Sequence, residues 1–151
     1  MKYHAMSRDA HYFQTAMSSN TIEWEDPFVR LVADPHRSIM AVEWKGVPPS
    51  AHYRTMLGRV LVLIRDHKLR RLLTDQRHRG TILPPDQAWL VQEWTPAFAL
   101  LGVDRIAVIE NGDVLNRATL DKLVEQTTAM TKATVSFFSD APQAEQWLNQ
   151  A

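Results

Sequence analysis

The sequence has no cysteine, only five glycines in 151 residues, no excess of either charge and no long apolar run. Without cysteine there are no disulfides, no thiolate metal sites and no cysteine nucleophile, a composition compatible with a reducing compartment. Seventeen Lys and Arg residues balance seventeen Asp and Glu residues. No general field therefore draws the chain to nucleic acid or to an anionic membrane. No stretch approaches the roughly 18 consecutive apolar residues of a membrane span. The opening MKYHAMSRDAHYFQTAMSS lacks the continuous apolar block of a secretory signal, so a cytoplasmic protein is expected. A nucleophile elbow, a Walker loop, an HExxH pair and a dinucleotide glycine pattern are all missing. The expectation is a protein that is not an enzyme and uses no cofactor or metal.

What is present reads as one α/β domain, since the length suits a single core and the 45% hydrophobic content is ordinary for a globular chain. Residues 1–24 are polar and weakly periodic, which predicts a flexible N-terminal tail ahead of a domain over 25–151. His4 and His11 lie in that tail, seven apart with no third ligand nearby, and read as solvated. Phe28 to Asp34 and Ser38 to Trp44 each alternate with strand periodicity around the turn Asp34-Pro35-His36-Arg37, predicting an antiparallel hairpin. Pro48-Pro49-Ser50 introduces a helix that buries Tyr53, Met56, Leu57, Val60, Leu63 and Ile64.

The stretch from Leu69 to Gly102 is the centre of the chain. Leu72 and Leu73 form a short strand ending at Thr74-Asp75. A charged loop with a turn at Gly80 follows, and Pro84 and Pro85 open a helix where their missing amide hydrogens go unused. Leu90, Trp94, Ala97, Phe98 and Leu101 make its apolar face, and Pro96 within it is expected to kink or divide the helix. Arg105 to Glu110 is continuously apolar between charges, as in a strand covered on both faces. A helix to about Met130 places Leu120, Leu123, Val124, Thr127 and Met130 inward. Thr134 to Phe138 is a last strand, and Asp140 with Gln143 has capping-box spacing for a final helix docking Ala144, Trp147 and Leu148. The prediction is a mixed five-stranded sheet with about four helices, an N-terminal antiparallel hairpin and a parallel remainder.

Five short motifs in this order resemble the SpoIIAA-like (STAS-like) family of small bacterial proteins. They are Trp44-Lys45-Gly46, Leu73-Thr74-Asp75, Asp86-Gln87-Ala88-Trp89-Leu90, Arg105-Ile106-Ala107-Val108 and Ala144-Glu145-Gln146-Trp147-Leu148. The resemblance covers about Pro27 to Leu148. It implies a non-enzymatic domain, regulatory or scaffolding, that works by binding another protein. The serine that better-understood relatives phosphorylate at the start of the second helix has no counterpart in Thr81-Ile82-Leu83-Pro84-Pro85-Asp86, so that switch is not carried over.

In an open α/β sheet, ligands gather beyond the carboxyl ends of the parallel strands. That edge gathers the candidate partner- or ligand-binding residues Asp75, Arg77, His78, Arg79 and Asp86, with Trp89 as a half-exposed aromatic anchor. The plain alternative is a solvated loop with weak local ion pairs. Arg65, Lys68, Arg70 and Arg71 precede the strand while Arg77 and Arg79 follow it, so this basic run is split between two edges and no nucleic-acid partner is expected. The second functional reading is a carrier or sensor of a small apolar or anionic ligand. Trp44, Trp89, Trp94 and Trp147 are candidates to line its pocket, though core packing alone also explains tryptophans. A cavity beneath Trp89 and Trp94 would favour the carrier, and a flat exposed patch the protein binder.

Overall fold

The computed structural model describes residues 20–150. The expectations for the tail, including those for His4 and His11, concern residues outside that range, apart from its last few positions. Six strands form one sheet: β1 (Ile22–Glu25), β2 (Val29–Asp34), β3 (Ile39–Trp44), β4 (Arg71–Asp75), β5 (Arg105–Ile109) and β6 (Thr134–Phe138). They lie side by side in chain order, with β1, β2 and β3 antiparallel and β3 to β6 parallel. The α/β class and the mixed sheet agree with the sequence reading, but there are six strands instead of five. The extra one is β1, whose alternating Ile-Glu-Trp-Glu pattern spans only four residues beside a polar segment. Asp26 closes its turn by accepting hydrogen bonds from the amides of Phe28 and Val29.

Among the described residues, four helical segments connect or follow the strands. The first is α1 (Ser50–His67), which buries Tyr53, Met56, Leu57, Val60 and Ile64. The second is divided into α2 (Pro84–Trp89), a π turn over Leu90–Trp94, and α3 (Thr95–Ala99). Pro96 explains the division. It has no amide hydrogen to donate to the preceding turn, and the Thr95 amide donates five residues back to the Leu90 carbonyl. The remaining segments are α4 (Val114–Met130) and α5 (Ala141–Leu148). Asp113 and Asp140 cap them by accepting from the amides of Asn116 and Gln143.

Alternation along the strands gives the sheet two different faces. Met40, Val42, Trp44, Leu72, Ile106 and Val108 point to the face covered by α1, the divided helix and α4. Leu73, Ala107 and Ile109 point to the other, where Ala141, Ala144 and Leu148 of α5 pack on them. Leu72 and Ile106 are direct register partners in adjacent parallel strands, and β5 lies inside the sheet with Ile106 to Ile109 buried, as its apolar run requires. Two inward assignments are corrected. Ala97 is exposed while its neighbour Phe98 turns inward, and Met130, the last residue of α4, is 43% exposed.

Candidate functional site

Between the first face and its helices lies a cavity of about 130 Å³. Its floor is sheet: Val42 and Trp44 of β3, Leu72 and Thr74 of β4, Ile106 and Val108 of β5. Tyr53 and Leu57 of α1 form one wall, and Leu120, Leu123 and Val124 of α4 the opposite one. The π turn supplies Leu90 and Trp94, and α3 follows with Thr95 and Phe98. A wide turn places Leu90, Trp94 and Thr95 on one side together, and such turns are often found at functional sites. Trp94 is fixed there by stacking on Phe98 at 4.8 Å and by donating its indole hydrogen to the Leu57 carbonyl at 2.8 Å.

None of the residues of α4 is fully buried, and Leu120, Leu123, Val124 and Thr127 on its inner side line the cavity. Side chains that look onto empty space lack partner atoms on that side and forfeit dispersion contacts. The few polar groups on the wall include Thr74 and Gln76, and the Gln76 amide donates to the Thr74 hydroxyl at 2.6 Å.

The loop over residues 76–83 meets the cavity at its carboxyl end, contributing Gln76 and Ile82. It turns at Gly80, whose φ of +74° suits glycine, and a Cβ there would lie 2.7 Å from Val47 Cγ2. Asn111 donates to the Arg77 carbonyl and Thr81 donates to Asn116, tying the loop to the start of α4.

The structure separates the candidate residues. Asp75 shares the second face with Leu73 and is fully buried, held by two Arg77 nitrogens at 2.6 and 3.0 Å. His78 is exposed and makes no pair with Asp75. Arg79, Asp86 and Trp89 gather instead around Tyr53 on the first face. Asp86 is 4% exposed and accepts from the Ser50 hydroxyl at 2.6 Å and from Arg54 Nε at 3.0 Å. Arg54 also lies over the half-buried Trp89 ring. Arg79 is 2% exposed, its guanidinium carbon 4.0 Å from the Tyr53 ring centre and 5.6 Å from that of Trp44. Burial pushes the Tyr53 hydroxyl up to about 12, and the positive charge of Arg79 only partly offsets this. Tyr53 is therefore a neutral hydroxyl at physiological pH. Of the tryptophans, Trp44 and Trp94 line the cavity, while Trp89 packs edge-on to Tyr53 and Trp147 of α5 lies against Phe138.

Sequence reasoning missed a row of buried charges on the second face. Arg30 of β2, Glu43 of β3 and Asp75 of β4 are neighbours in register, with exposures of 1%, 7% and 0%. Arg30 also pairs with Glu23 of β1 at 3.0 Å. The signal was available, since alternation places Arg30 and Glu43 on the same side as Val32 and Ala41. Polar residues in a hairpin are ordinarily read as solvent-facing, which hid it. Among the described residues no cluster of His, Asp and Glu side chains is arranged to hold a metal ion, and no helix is long and apolar enough to cross a membrane. No protein-family model matches the chain, and searches of curated proteins and of solved structures return no significant match.

Proposed function

We propose that this chain is a non-enzymatic, SpoIIAA-like binding domain that carries or senses a small apolar molecule. The observation that supports it is the cavity beneath Trp94, walled by aliphatic and aromatic side chains. Apolar cavities of about 150 Å³ stay dry and take up benzene-sized guests, so a void of about 130 Å³ suits one ring or a short branched chain. Unfilled volume is destabilising at about 24 cal/mol per Å³, so a guest that fills the cavity recovers contacts the empty protein lacks.

The protein-binding reading rests on a different observation. Val47, Leu83, Val114 and Leu115 are 60 to 81% exposed, and all four follow the carboxyl ends of parallel strands. The charged loop gives that reading little, since Asp75 and Asp86 are buried and already paired. One experiment separates the two. Toluene is expected to raise the melting temperature of the wild type in a saturable way, and Leu123→Trp, which plugs the cavity, should abolish the shift. If toluene leaves the wild-type midpoint unmoved, the carrier reading falls and docking at the exposed edge is the reading that stands.

A further inference from the structure

We infer that residues 1–19 dock back onto the second face of the sheet, laying Tyr3, Met6, Ala10, Phe13 and Met17 over the part of β2 and β3 that α5 does not reach. This is independent of the carrier reading above.

The second face is buried further than α5 extends. That helix packs on β4, β5 and β6. β2 lies two strands beyond β4, about 10 Å away at the usual strand spacing, and a helix is itself only about 10 Å across. α1 does pack on β2 and β3, but on the first face. Yet Arg30 and Val32 of β2 are each 1% exposed, and their register neighbours on β3, Glu43 and Ala41, are 7% and 2% exposed. Side chains stand roughly perpendicular to a sheet, so a face with nothing above it leaves their ends in water. A second layer must therefore lie over this half of the face.

Place and length point to the chain's own first residues. β1 is the outer neighbour of β2, and its first residue, Ile22, pairs with Ala33. Residues 1–19 thus enter the fold at the border of the half in question. A helix over Tyr3 to Met17 would be about 22 Å long. β2 and β3, of six residues each, span about 20 Å. Tyr3, Met6, Ala10, Phe13 and Met17 follow one another at spacings of three, four, three and four, the stripe of one helix face. The stripe is narrow and flanked by Ser7, Arg8, Asp9 and Gln14, which is why the segment as a whole reads as polar. Packed there, it would keep water from Arg30 and Glu43, 4.0 Å apart, and so strengthen their attraction. The segment is then a covering layer on the same face as α5, instead of the flexible tail that its composition suggests.

The chain has no cysteine, so single introduced thiols report on the face in the intact protein. Val32→Cys lies under the proposed cover, and Ala107→Cys lies on the same face under α5. Both thiols should be protected from a maleimide, and equally so at high and low protein concentration. Adding Phe13→Asp with Met17→Asp should speed labelling at position 32 by about tenfold or more and leave position 107 unchanged. Ser7→Asp with Gln14→Asp, off the stripe, should change neither. Fast labelling of Val32→Cys without further substitution would overturn the inference, as would protection that survives Phe13→Asp with Met17→Asp. Protection lost on dilution would overturn it in favour of a second copy as the cover. The wild-type chain supplies a second measurement that no substitution can disturb. Nuclear Overhauser contacts are expected between the Phe13 ring and the methyl groups of Val32 or Ala41. Should positions 32 and 107 both speed up because the Asp variant unfolds, these contacts decide, and their absence overturns the inference.

Discussion

Single residues set the charge logic of the molecule, and Glu145 shows how. It is 1% exposed on α5, and one of its oxygens lies 2.9 Å from Arg37 Nη1. Burial raises its proton affinity above the ordinary carboxylate value, the Arg37 charge opposes that rise, and the Asp34 charge adds to it. A carboxyl group with a raised folded-state pKa contributes stability that is complete below its unfolded value. That contribution is lost as pH rises through the folded value. Glu145→Gln removes this titration. The melting temperature of wild type relative to Glu145→Gln should therefore fall as pH is raised from about 4 to about 8. A difference that stays constant over that range would mean Glu145 folds with an ordinary carboxylate. None of this was readable in Ala144-Glu145-Gln146, where a glutamate on a short terminal helix looks solvent-facing.

Among the elements, those with a strong period were legible and those shaped by loops were not. The hairpin strands β2 and β3 follow from alternation, and the start of α1 from the paired prolines before Ser50. Pro96 announced a break in the second helix. Its form as a π turn was hidden, because the lost hydrogen bond can be accommodated by a kink or by a wider turn with the same residues. Even the separation of Asp75 from Arg79 was half visible, since alternation from Leu72 places Thr74 on one face and Asp75 on the other. The loop over 76–83 has no period, so the inward path of Arg79 was not. That path depends on Gly80. Gly80→Ala should destabilise the fold by about 1–2 kcal/mol in chemical denaturation, through its positive φ and the close approach to Val47. Adding Val47→Ala should recover only part of the loss, because it relieves the contact and leaves the backbone strain. Full recovery, or no loss from Gly80→Ala, would show that the loop is not held as described.

For the whole molecule, the sheet divides two tasks. Its second face carries aliphatic residues under α5 and a buried row of charges, while its first face carries large apolar residues around a cavity. The α/β class and the parallel order could be read from the chain because burial imposes periodicity. The cavity could not, because Leu120, Leu123 and Val124 follow the same helical spacing whether they touch packed atoms or empty space. The account depends on that space being a dry, accessible apolar site. A crystal held under xenon pressure measures it directly, since xenon occupies apolar cavities of this size and is located by its scattering. The prediction is a xenon peak between Trp94, Leu123 and Val108, lost in Leu123→Trp. A wild-type crystal with no xenon there, or with ordered water filling the same volume, would contradict the account.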